Sequence, residues 1–196
     1  MRARLKKITI ASTLFIATLL SAENSYEFQT KSLVAIEGGS SSMGYEDGTP
    51  TNNVQGNASL SNLGIKIGAE TRDFRIFLSG RYYFDSSDKY DYLATGGVEL
   101  QYIFNVAEHF NIFIGVNGGM ANLKFRAPTE SFSRSISTPY IGADLGVNFH
   151  LGDTADFEIG TRIINIDEDN LKNGITYHIE NVVSGYASLV FKWQMD

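Results

Sequence analysis

The 196-residue chain holds three histidines, His109, His150 and His178, and these are its first candidates for chemistry. An imidazole can activate a serine hydroxyl for acyl transfer only if base and nucleophile are in hydrogen-bond contact. Ser184 lies six residues beyond His178, roughly 20 Å along an extended strand, so the two cannot touch. His109 falls in a short turn, and His150 closes an apolar-alternating segment beside Gly152-Asp153. We read all three as rim histidines and assign no catalytic residue. His178 and Glu180 share one face of a strand and could share a metal, but a structural site usually takes four ligands. The run Asp167-Glu168-Asp169-Asn170 offers oxygens of the kind calcium prefers. It lacks the ligand spacing and glycine of an EF-hand, and we read it as a solvated loop tip. No metal or cofactor site is expected. Cysteine is absent, which excludes a disulfide scaffold.

What recurs along the chain is alternation. From Phe74 to Phe84 the even positions are Phe74, Ile76, Leu78, Gly80, Tyr82 and Phe84. The odd positions are Arg75, Phe77, Ser79, Arg81 and Tyr83. A period of two marks a β-strand with one apolar and one mostly polar face. The pattern predicts eight strands, near Ser32–Ser41, Leu60–Ala69, Phe74–Phe84, Tyr90–Phe104, Phe110–Met120, Thr138–Leu151, Asp156–Ile166 and Tyr177–Trp193. Leu123 and Phe125 leave the parity of Phe110, Ile112 and Ile114, which predicts a bulge or loop start near Ala121. Three connections are short: Glu70–Asp73, Asn105–His109 and Gly152–Ala155. The other set is mostly longer, at Ser42–Ser59, Arg126–Ser137 and Asp167–Thr176, with Asp85–Lys89 the short exception.

Residues 1–22 have the form of a secretory signal peptide. Arg2, Arg4, Lys6 and Lys7 precede an apolar stretch, Ile8 to Leu20, too short to span a bilayer comfortably, and Ser21-Ala22 offers a cleavage point. Residues 23–196 then form one domain. Without the leader's four basic residues, 12 basic face 22 acidic ones, a net charge of −10. That argues against a nucleic-acid partner, which requires a basic footprint.

Three features orient the sheet with its apolar face outward. Aromatic residues of the apolar parity sit at strand ends. Phe74, Tyr102, Phe104, Phe110, Phe149, Phe157 and Trp193 lie beside the short turns, and Tyr82, Phe84, Tyr90 and Tyr92 lie beside a loop at the other end. Two such girdles match the two interfaces of a membrane. The polar parity mixes glycines with charges, as a narrow lumen filled by side chains requires. Finally, Lys66 or Arg162 facing mid-bilayer lipid would each cost about 2–4 kcal/mol. A lumenal network is therefore expected, joining Lys66, Arg81, Arg162 and Lys192 to Glu37, Glu99, Asp144 and Glu158.

With its leader, eight alternating segments, girdles and the terminal Leu189-Val190-Phe191-Lys192-Trp193, the chain resembles the small eight-stranded outer-membrane β-barrels, the OmpA transmembrane domain and OmpX-like group. Members usually end on an aromatic residue read by the barrel-assembly machinery; here Gln194-Met195-Asp196 follow Trp193. The resemblance implies an eight-stranded antiparallel up-and-down transmembrane barrel in a Gram-negative outer membrane. It also implies contact with outer-membrane lipid and lipopolysaccharide, and a surface ligand taken through the loops. We expect a monomer with a structural or surface-contact role, no catalysis and no wide pore. Two other readings compete. One is a lipid A acyl hydrolase; those barrels carry a His-x-Ser pair near the C-terminus, from which His178-Ile179-Glu180 departs. The other is a soluble ligand-carrying barrel; the Gly-x-Trp of lipocalins is missing, the single tryptophan being Trp193.

Overall fold

The computed structural model describes residues 30–49, 52–85, 90–125, 134–172 and 175–194, with side chains placed for 30–44, 56–84, 92–124, 137–166 and 181–194. The expected leader lies outside the described residues. Eight strands follow in order: β1 (Lys31–Thr49), β2 (Asn52–Glu70), β3 (Phe74–Asp85), β4 (Tyr90–Phe104), β5 (Phe110–Phe125), β6 (Arg134–His150), β7 (Ala155–Lys172) and β8 (Ile175–Gln194). Each pairs antiparallel with its neighbours, and β1 closes on β8 from Lys31↔Gln194 to Gly48↔Thr176. Closure leaves no edge within the barrel wall, so its backbone groups are satisfied within the sheet.

Alternation sets the two faces. Ile65 is 64% exposed and Ile141 is 69% exposed, while Lys66 and Glu99 are fully buried. The apolar band runs around the outside through Ile36, Leu63, Leu78, Val98, Ile114 and Leu145. Charged residues fill the inside, an arrangement stable only when lipid surrounds the wall. Aromatic pairs edge the band: Phe74 packs edge-on against Tyr102, Tyr102 against Phe104, Phe110 tilts on Phe149, and Tyr82 stacks on Tyr92. Phe84 and Trp193 are also outward and exposed, and Phe157 is half-buried. The side chain of Tyr90 lies outside the described residues.

The short turns hold as read. Thr71 N donates to Phe74 O at 2.8 Å, and Leu151 N donates to Ala155 O at 2.9 Å. Gly152 in the second of these turns has φ 134°, a conformation that favours glycine.

Two expectations need correction. The segments read as long loops are largely strand: β1 and β2 run to Thr49 and Asn52, β6 begins at Arg134, and β7 and β8 approach to Lys172 and Ile175. The sequence of these extensions carries no sustained apolar alternation, so residue order does not mark them as strand. There is also no bulge near Ala121. β5 keeps one register with β6 from Phe110↔Phe149 to Phe125↔Arg134. Leu123 changes the pattern because the lumen becomes apolar there. Ala121 and Leu123 are buried with Met43, Leu60, Tyr83, Leu93, Tyr140, Ile164, Ile166 and Val182. This cluster occupies the lumen toward the long-hairpin rim, above the ionic layer.

Candidate functional site: the ionic lumen

Strand register brings the lumenal charges into two tiers. The central tier is built on Glu37 of β1. Arg162 donates through Nη1 to Glu37 Oε1 at 2.9 Å and through Nε to Asp144 Oδ1 at 2.8 Å. Asp144 and Arg162 are direct register partners on β6 and β7. Arg81 donates to Glu37 Oε1 from Nε at 2.6 Å, to Ser79 Oγ from Nη1 at 2.9 Å, and through Nη2 to Glu99. Lys66 donates to Glu158 Oε1 at 2.8 Å and stands 3.6 Å from Glu37 and 3.7 Å from Glu99. Gln101 and Asn117 complete the tier by donating to Glu99 and Asp144 at 2.9 and 2.7 Å. Every charge there has an opposite partner, which offsets the several kcal/mol that burying a lone ion would cost.

The second tier lies at the short-turn rim and centres on Asp156. Lys192 donates to its Oδ1 at 2.8 Å and Arg75 to its Oδ2 at 2.6 Å. His150 Nδ1 lies 2.8 Å from Oδ1, and its Nε2 faces Asn111 Nδ2 at 3.4 Å. An ionised carboxylate only accepts, so the 2.8 Å contact is a hydrogen bond from His150 Nδ1 to Asp156. Arg75 also bonds Glu70, and its Nη1 stands 3.7 Å from Glu158, linking the tiers. Lys192 thus lies with Asp156, and 4.0 Å from Glu70, rather than with the central carboxylates.

Arg75, Asp156 and Glu70 are absent from the expected network. Arg75 and Asp156 share the inward parity of Arg81 and Glu158, so the signal for them was present. Glu70 sits at the strand end, where it reads as part of a turn. Inward aromatics were also missed. Phe77 and Tyr186 flank Lys66, whose Nζ is 4.8 and 5.5 Å from their ring centres, and Arg162 lies 4.3 Å over Tyr186. Cation–π attraction therefore adds to the carboxylate pairing. Their room comes from glycine on the adjoining strand. Gly160 is the register partner of Tyr186, and a Cβ there would meet the ring at 2.7 Å. Gly146 stands likewise opposite Phe113, where a Cβ would meet the ring at 2.5 Å.

The site therefore holds charges in place. Among the described residues, His150 has its ring nitrogens turned to Asp156 and Asn111. His178 lies within β8, with its side chain outside the described residues.

Comparison with solved structures gives the architecture its relatives. Neisserial surface protein A superposes with a TM-score of 0.57 at 15% identity, over 83% of this chain and 97% of that one. The chain has the fold of the small outer-membrane β-barrels. The N-terminal barrel domain of Pseudomonas aeruginosa OprF matches with a TM-score of 0.52 at 12% identity, over 82% of this chain and 97% of that one. OprG of the same organism matches at 0.51 and 13% identity, over 83% and 96%. At these identities the likeness is one of fold. No family model matches the chain, and no curated protein matches it in sequence.

Proposed function

We propose that the protein is an integral outer-membrane barrel of a Gram-negative bacterium, a monomer with a structural or surface-contact role, non-catalytic and without a wide pore. The observation that carries this reading is the filled lumen. Glu37, Lys66, Arg81, Glu99, Glu158 and Arg162 occupy its centre at no more than 4% exposure, and an apolar cluster covers them toward the long-hairpin rim. An eight-stranded wall has an interior that side chains of this size can fill. The apolar outer band supports lipid and lipopolysaccharide as its surroundings, and insertion by the barrel-assembly machinery. The long hairpins are the parts free to contact a surface ligand.

The test is fractionation followed by conductance. An outer-membrane band that migrates differently before and after boiling, and planar bilayers without porin-sized steps, are the expected results. A soluble periplasmic product, or stepwise conductance of porin size, would overturn the proposal. The lipid-modifying alternative is checked separately: lipid A acylation should be the same in cells carrying the chain, H150A or H178A.

A further inference from the structure

The outer wall carries one charge. On the strands, among the residues whose side chains are described, every Asp, Glu, Lys and Arg but one falls on a lumenal parity. The exception is Lys124 of β5, which continues the outward parity of Ile114, Val116 and Met120, while Leu123 before it is buried. Lys124 stands opposite Tyr92 in the β4–β5 register, and its Nζ lies 5.9 Å from the centre of that ring. Tyr92 in turn stacks on Tyr82 at 5.2 Å. The ammonium is therefore held by the aromatic girdle of the long-hairpin rim, at the depth of lipid headgroups, where a lysine on the outer face costs little.

Two further polar side chains share this face. Asn122 lies two residues before Lys124 on β5, about 7 Å along the strand. Its Nδ2 donates to Oγ of its register partner Ser137 at 2.8 Å. A hydroxyl that accepts this bond keeps its own O–H to donate. An ammonium and a hydroxyl thus border one small area, and both suit the oxygens of a phosphate. Next to these donors the wall has little side-chain bulk. Tyr82 pairs with Ala94, and one step deeper Gly80 pairs with Gly96. A Cβ at Gly80 would meet nothing within 4 Å, and one at Gly96 a single atom at 4.0 Å. A free phosphate ion would use the donors alone, whereas a phosphorylated lipid would use the donors and the open strip of wall below them.

The long-hairpin rim of outer-membrane barrels faces the exterior, where the leaflet is built of lipopolysaccharide. We propose that Lys124, with Asn122 and Ser137, binds a phosphate of lipid A while one of its acyl chains lies over Gly80 and Gly96. This rests on the outer-membrane reading above and names a site for the lipid that surrounds the barrel.

The test is native mass spectrometry of the folded protein in detergent micelles, titrated with purified lipid A. One saturable adduct is expected. K124Q should weaken it about fivefold, the worth of one lysine beside an anionic lipid surface, and K124R should keep it. Dephosphorylated lipid A should bind the parent more weakly by a similar factor and should not distinguish the parent from K124Q. G96V, which puts a side chain where the acyl chain lies, should also weaken binding. R72Q, which removes an exposed base at the opposite rim, should bind as the parent does. Undiminished binding by K124Q or G96V, an equal loss in R72Q and K124Q, or displacement of lipid A by millimolar inorganic phosphate would each overturn the proposal. Heat-modifiable migration of every variant confirms the barrel. A parent that does not fold as such a barrel would overturn the outer-membrane reading as well, whereas a folded barrel that ignores lipid A overturns this inference alone.

Discussion

Arg162 on β7 and Glu37 on β1 stand 125 residues apart in sequence and meet at 2.9 Å across β8. Glu37 also takes Arg81 from β3 and stands 3.6 Å from Lys66 of β2, so one carboxylate ties four strands together. Removing one partner of a buried network leaves the rest uncompensated. R162A should lower unfolding free energy by about 3–5 kcal/mol, read from urea titrations of the protein in lipid vesicles.

The glycines of the wall differ according to the face they occupy. G160V places carbon against the Tyr186 ring and should destabilise by about 1–3 kcal/mol, as overpacking does. Gly80 faces outward with nothing within 4 Å of a Cβ. G80V should be neutral or stabilise by up to about 1 kcal/mol, because glycine weakens a strand. The same urea titration reads both, and equal losses would contradict the assignment of faces.

Depth in the lipid should set the penalty for a charge on the outer wall. L145R, in the middle of the apolar band, should cost about 2–4 kcal/mol, and V106R in a short turn about 0–1 kcal/mol. Unfolding in vesicles of fixed thickness measures the difference. Similar values at the two positions would mean that the band does not meet acyl chains.

The projecting hairpin of β1 and β2 should be dispensable for the barrel. Replacing residues 45–56 by an Asn-Gly turn leaves the pairs from Lys31↔Glu70 to Gly44↔Asn57 in place. The unfolding free energy from urea titration should stay within about 0.5 kcal/mol of the parent, the range of surface changes.

Much of this architecture is readable in residue order, for a definite reason. A wall between lipid and lumen forces opposite chemistry onto successive residues, so Ile65-Lys66-Ile67 and Val98-Glu99-Leu100 declare both strand and face. Alternation identifies faces but carries no register. It could not pair Lys192 with Asp156. Glu46-Asp47-Gly48-Thr49 and Asn52-Asn53-Val54-Gln55 carry no apolar alternation, so they read as loop although they continue strands. Leu123 misled for the converse reason: an apolar residue can point inward wherever the lumen itself is apolar.

The seam between β1 and β8 has a consequence for biogenesis. The first strand finds its second neighbour only in the last twenty residues described, so a growing polypeptide cannot complete the cylinder while its tail is still on the ribosome. Contacts of such sequence separation form late and slowly. Shutting that seam is therefore the last pairing of the cylinder to form.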